Sequence, residues 1–360
     1  MQVAIKNRYP DCLEIALRGI PSGSTAILLS LTAAWGEQWE PLLGGRVKFG
    51  LKGGQLQVSC EDGASLSERV SDVSESERAS ELPSLRVLAE TPAQNERLWR
   101  FVERKGQILK GVAKLEAIAL TSSEQLEGLK VLFSVEPADI AIAQTAELWK
   151  HDITPNQHAV LERAIAKFLQ HYRLSPYLSL SPPAEQSQSA PTDETKALEA
   201  LQQTIVEFSA GKTDNFLELA AIANLAPARD LSGGDLMATD LNGLDFSGTI
   251  LDRVNLRGAN LNDTDFSEAS LKAARLMGAD LSGAYLGNAN LREANLHRAS
   301  LALANLGGAD ASGANFQEVN LSNTNLAGVK VDKAIFGQNP GLTEDTKKSL
   351  LARGAIFRED

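Results

Sequence analysis

From Leu231 to Phe336 every fifth residue of the chain is apolar, and the register does not slip once in twenty-two positions. The run opens Leu231, Leu236, Leu241, Phe246, Leu251, Leu256 and closes Leu321, Leu326, Val331, Phe336. Two residues before each of these stands a mostly small side chain, Ala at most positions from 259 to 314, with Gly, Thr, Leu, Val or Ala elsewhere and Arg229 at the edge. The residue directly before is usually Asp or Asn, as in Asp240, Asn260, Asp280, Asn290 and Asn295, and the two after it are mostly polar or Gly. A period of five matches neither the 3.6 residues of a helical turn nor the two-residue alternation of a strand. It suits a chain that turns a corner every five residues, with one residue per side pointing inward and a second, small one filling the corner. Four sides make a square coil of about twenty residues, and coils stack at the roughly 4.8 Å spacing of paired strands. The departures are Leu244, Val254 and Val319 at small positions and Ala311 at a central one; they swell or thin the interior locally.

The pattern A-(D/N)-L-x-x over residues 229–336 resembles the pentapeptide-repeat family, and the flanks TDNFLELAAIANLAPARDLSGGDL and FGQNPGLTEDTKKSLLARGAIF are similar to cyanobacterial members. The resemblance implies a right-handed quadrilateral β-helix with Leu or Phe and small residues inside. It also implies roles around photosynthetic membranes or cell differentiation.

A stacked coil leaves unpaired strand edges at its ends, so caps are expected. Residues 195–228 form the N-terminal one: a helix over 195–208 with Leu198, Leu201, Ile205 and Phe208 on one stripe, then a helix over 214–225 capped by Thr213 and ended before Pro227. Residues 337–360 form the other, with Thr343 capping a helix to about Arg353 and Gly354 at the C′ position. Closed ends predict a monomeric rod. Residues 181–194, SPPAEQSQSAPTDE, have linker composition. Residues 1–180 read as a β-rich α+β domain of no recognised family. Arg46–Leu51 and Gln55–Cys60 around Lys52-Gly53-Gly54 predict a hairpin. Leu66 to Glu81 predicts a loop, and Arg97–Arg104, Gln107–Leu115 and Leu129–Val135 predict further strands. Thr154-Pro155-Asn156-Gln157 predicts a capping box ahead of an amphipathic helix. The fold class is therefore mainly β: a pentapeptide-repeat solenoid with helical caps, preceded by a β-rich α+β domain.

Composition narrows the function. The chain has net charge −11, and no region is basic enough for a nucleic-acid footprint, so no direct nucleic-acid partner is expected. The start MQVAIKNRYP has no apolar run, and Ala26 to Trp35 falls short of the roughly 20 residues of a membrane span. A cytoplasmic protein is expected, without membrane insertion but with peripheral association left open. Cys12 and Cys60 are too few and too distant for a disulfide framework or a zinc pair and read as buried small residues. His151, His158, His171 and His297 have no partner at metal-ligand spacing, and neither a P-loop nor a G-x-S-x-G elbow occurs. No catalytic, cofactor or metal residue is assigned, and no enzyme activity is expected.

The register assigns every repeat residue to a face. With the repeat at Leu231 on face one, Leu236 on two, Leu241 on three and Phe246 on four, all nine Lys and Arg of the rod fall on faces one and two. Faces three and four carry only Asp240, Asp245, Asp263, Asp265, Glu268 and Asp280, with Tyr285, Ala302 and Leu303 in outward slots beside them. An acidic strip next to a small apolar patch suits the basic surface of a protein partner. These nine residues are the candidate partner-binding set, in a non-enzymatic binding scaffold or assembly factor. The alternative is a DNA-mimicking inhibitor or protector of a topoisomerase. Against it stand a rod charge of only −4 and an acidic strip that stops halfway along.

Overall fold

The computed structural model describes residues 6–21, 26–60, 65–68, 85–93, 95–103, 106–121, 129–149, 153–175, 177–181, 191–211 and 213–358. They form two compact units: 1–148 with 168–198, and 149–167 with 199–360. The division does not fall at residue 180, where the sequence places it. Residues 149–167, read as part of the first domain, cluster with the repeats. Most of the expected linker, 182–190, lies outside the described residues, and 191–194 begin a helix.

The first unit is built from antiparallel sheets. A six-stranded sheet has the order β1 (Lys6–Asn7), β13 (Ser179–Ser181), β11 (Leu129–Ser134), β6 (Gly53–Cys60), β9 (Glu96–Glu103), β8 (Leu85–Ala93). A four-stranded sheet orders β2 (Leu13–Pro21), β3 (Ala26–Trp35), β10 (Gly111–Thr121), β7 (Ser65–Glu68). A three-stranded one orders β12 (Ile140–Ala146), β5 (Gly45–Leu51), β4 (Glu37–Leu42). Trp35 packs on Phe101 and Phe133 at centroid distances of 5.5 and 5.6 Å, and Cys12 and Cys60 are buried and form no disulfide. Burial pushes the Cys12 thiol up to about 12, so it is an inert core residue at neutral pH.

Three expectations for this unit are corrected. The strands around Lys52-Gly53-Gly54 are not a hairpin, because β5 pairs with β4 and β12 while β6 pairs with β9 and β11. Those glycines serve close passage rather than a tight turn: a Cβ on Gly53 would lie 2.4 Å from the Phe101 carbonyl oxygen. The strand expected over 107–115 begins only at Gly111. Residues 66–68 of the expected acidic loop belong to a strand, β7, paired with β10, and 69–81 lie outside the described residues.

In the second unit the repeats stack as a solenoid of twenty-residue turns. Parallel bridges join residue n to n + 20 in four columns, starting at Asp235, Asp240, Asp245 and Ile250. Every central apolar residue is buried except Leu326, which is half-buried. Like residues stack: Phe246 on Phe266 at 5.7 Å, and Phe316 on Phe336 at 4.9 Å. The corner hydroxyls of Thr239 and Thr264 donate to the Leu236 and Leu241 carbonyls, which removes the cost of burying them. Val254, Val319 and Ala311 are buried without breaking the ladder, and Leu244 is half-buried in the opening turn.

Helices lie at the first turn. These are α1 (Pro155–Leu169), whose residues to 167 belong to this unit, α2 (Pro191–Ser209), whose residues from 199 belong to it, α3 (Phe216–Ile222) and a short α4 (Pro227–Asp230). Thr154 and Gln157 form the expected capping box. The N-cap of α3 is Asn215, whose side chain accepts from the Leu217 and Glu218 amides, and not Thr213. Thr213 instead accepts from the Asn215 amide and bonds the Glu218 carboxylate. Phe216 packs on Phe246 at 6.2 Å. At the other end α5 (Glu344–Ala352) is capped by Thr343, and Gly354 follows it at φ +91. The sequence gives no sign of the final two-residue strand, β15 (Ile356–Phe357), which pairs in parallel with β14 (Ile335–Phe336) and stacks Phe357 on Phe336 at 5.3 Å.

Candidate interaction surface

The repeat consensus is a turn written five residues at a time. The central residue's carbonyl accepts from the amide three residues on, as in Leu244 N–H to Leu241 O at 3.2 Å. The second residue after the centre has φ near +60 at all twenty-two positions from Gly233 to Gln338. A turn closed this way with positive φ at its third residue has the type II signature. The Asp or Asn before the centre accepts from the amide two residues on, as Asp245 does from Ser247 at 2.8 Å and Asp280 from Ser282 at 3.1 Å. That local bond explains why Asp and Asn fill the position.

The candidate residues therefore divide. Asp240, Asp245, Asp265 and Asp280 all make this turn bond, so their carboxylates are partly committed to the fold. Asp240 also accepts from Asn260 at 2.8 Å. The Ser247 hydroxyl and amide hold the Asp245 carboxyl below the usual range. Asp263 and Glu268 occupy exposed turn tips with φ +55 and +60 and make no such bond among the described residues. Asp263 leans over the neighbouring turn, where a Cβ on Gly283 would sit 2.2 Å from its Oδ1.

Tyr285 and Leu303 are 53% and 69% exposed, and Leu303 is the most exposed large apolar side chain among the described residues. Tyr285 stands in one column between Asp265 and Asn305. Leu303 is a turn tip at φ +63, one turn along from Gly283 and diagonal to Tyr285. Ala302 is half-buried, and its carbonyl accepts from Gly283 at 2.9 Å, so it contributes backbone rather than side chain.

On faces one and two, two of the cations have acids on the adjacent turn. Arg292 meets Asp310 at 3.4 Å, and Arg298 meets Glu318 at 2.8 Å with His297 at 3.7 Å. Burial would raise the Asp310 carboxyl, but Ser312 and Arg292 outweigh it and hold it below the usual range. Faces three and four have no Lys or Arg to play that part.

The remaining histidines sit against rings: His158 edge-on to Trp149 and His171 edge-on to Tyr172. His151 lies outside the described residues. Among the described residues no group of three His, Cys, Asp or Glu could hold a metal ion, and no helix is long and apolar enough to cross a membrane.

A polar stripe that sequence reading missed lies on α1. Asn156, Val160, Arg163 and Lys167 share one stripe by their spacing of four, three and four. Asn156 and Arg163 are 3% and 1% exposed, and both bond to the first turn. The stripe is visible in the sequence, but its polar members hide it from a search for apolar faces.

Eight copies of the family model "Pentapeptide repeats" match, over residues 235–272, 274–306 and 299–338, and no family model matches the first unit. A search of curated proteins finds no match. Among solved structures the chain is similar to HetL, a pentapeptide repeat protein involved in heterocyst differentiation regulation in the cyanobacterium Nostoc. Identity is 27% over 36% of this chain and 79% of that one, with TM-score 0.23. It is similar to a thylakoid-lumen pentapeptide repeat protein of Arabidopsis thaliana at 31% identity, over 36% and 79%, with TM-score 0.15. It is also similar to QnrB1, a plasmid-mediated fluoroquinolone resistance protein, at 19% identity, over 36% and 69%, with TM-score 0.27.

Proposed function

Residues 235–338 of this chain belong to the pentapeptide-repeat family, and on that premise we propose that the chain is a non-enzymatic, cytoplasmic scaffold whose solenoid presents one corner to a protein partner. The twenty-residue turn is read as a right-handed quadrilateral β-helix, a reading supported by four bridge columns and the family pattern. Face four, with the corner that leads into it from face three, is the docking surface. Asp263 and Glu268 supply charge, and Tyr285 and Leu303 supply apolar contact.

Leu303 carries this reading. A branched side chain at positive φ is costly, and a leucine that exposes most of its surface recovers little by burial. Strain retained at an exposed position is a pointer to function. The partner patch it suits is basic with an apolar centre, because faces three and four carry acids and no Lys or Arg.

Affinity capture with the full chain tests it. Asp263→Lys with Glu268→Lys should abolish retention of partners held by the wild type and leave the thermal midpoint within about 1 °C, as surface changes do. Retention of the same partners by the reversed variant would sink the assignment. Loss of supercoiling in a gyrase assay with added protein would instead favour the DNA-mimic alternative.

A further inference from the structure

Each column of the solenoid runs on one rule. A residue's amide donates to the carbonyl twenty-one residues earlier, and its own carbonyl accepts from the amide nineteen residues earlier. Asp280 N–H reaches Ala259 O at 3.0 Å, and Leu261 N–H reaches Asp280 O at 2.7 Å. Asp240 opens its column and has no preceding turn to supply either partner. Both are supplied by one side chain. Asn156 Oδ1 accepts from Asp240 N–H at 2.9 Å, and Asn156 Nδ2 donates to Asp240 O at 3.0 Å.

The same helix also reaches the carbonyl of Asp230, just ahead of the first bridged column. Arg163 Nε donates to the Asp230 carbonyl at 3.1 Å, and the arginine lies so close to the corner that a Cβ on Gly234 would meet its Cδ at 2.7 Å. Lys167 Nζ bonds Asp230 Oδ2 at 2.7 Å and the Asn224 carbonyl at 3.3 Å. Nδ2 of Asn156 also donates to the Asp214 carbonyl at 2.8 Å, which fixes the amide's orientation. The opposite end is closed differently, by a true peptide strand, β15.

We propose that residues 155–167 act as a surrogate turn: the Asn156 amide and the Arg163 guanidinium stand in for the main chain of a missing coil and keep this edge from pairing with a second copy of the chain. The occupant follows from the edge itself. Without Asn156, Asp240 presents one N–H and one C=O side by side. Two such edges related by a two-fold axis satisfy each other as a hydrogen-bonded antiparallel pair. An edge left open in this way is a template for association.

Residue-resolved hydrogen exchange and sedimentation on the full chain test it. In Asn156→Ala the Asp240 amide should exchange about tenfold faster or more, while Asp280 and Asn320 in the same column keep their protection. In Asn156→Asp with Arg163→Leu, a carboxylate faces two carbonyl oxygens. The helix should then release, and the protein should dimerise with rising concentration. Unchanged exchange at Asp240 in Asn156→Ala would overturn the proposal. So would loss of protection along the whole column in that variant, which would make Asn156 a general core residue. A double variant with an exposed Asp240 amide that stays monomeric at every concentration would overturn the edge-closing role.

Discussion

Leu303 has the same backbone as Gly308 and Gly313, its counterparts on the next two turns of the ring, with φ +63 against +74 and +70. For a side chain bearing Cβ this region costs roughly 1–2 kcal/mol. Replacing Leu303 by Gly removes that cost and adds about 0.5–1 kcal/mol of unfolded-chain entropy. The expected net is a stabilisation of about 0.5–1 kcal/mol, read as a thermal midpoint at or above wild type, together with loss of partner capture. A stability loss above about 1 kcal/mol would mean that the leucine is packed and not strained. The contrast with Asp245 and Asp265 is instructive. By charge alone they rank with Asp263 and Glu268, but their carboxylates hold turns together. Position in the pentapeptide, not charge, separates the groups available for docking from those the fold has already engaged.

At the scale of elements, the ion pair between α1 and α4 gives the first turn a pH dependence. Burial on its own would raise the Asp230 carboxyl; Lys167 and the Ala226 amide outweigh it, and the group titrates below the usual range, with Arg229 also nearby. The unfolded chain, with an aspartate near about 3.9, then takes up the proton first. This contribution is fully present above that value and is lost as pH falls through the lower folded value. Exchange protection of the Ile250 amide, which donates to Ala228 beside this pair, should decline below about pH 4 in the wild type. In Asp230→Asn the decline should be smaller, and identical curves would refute the assignment.

The same elements show what a sequence can disclose. The solenoid is legible because each five-residue unit makes its own turn: an Asx bond, a left-handed tip, a buried leucine. No distant partner has to be known. The capping box at Thr154 and the glycine at 354 are legible for the same reason, since their bonds are local. The surface corner could be listed because the register assigns faces. The sheets of the first unit are not legible in this way. β6 finds β9 and β11 some forty and seventy-five residues away, and Gly53 answers to Phe101 rather than to its own turn. Residues 155–167 read from sequence as part of the first domain yet cluster with the repeats, because what a helix packs against is a tertiary fact. The two-residue β15 carries no pattern at all.

For the molecule as a whole, the twenty-residue column makes chain length a rotary coordinate. An insertion of one full turn lengthens the rod and leaves every downstream side chain at the angle it had. An insertion of one pentapeptide keeps all buried positions buried and advances everything downstream by a quarter revolution. Adding A-N-L-S-G after Gly278 should therefore leave the solenoid folded, with the far-ultraviolet spectrum and thermal midpoint little changed. It should carry Tyr285 and Leu303 out of line with Asp263 and Glu268, and capture should fail although no docking residue has been altered. Four such insertions should bring the two halves of the corner back into line. A chain of this kind can change what it recognises by dialling its phase, with its core chemistry held constant.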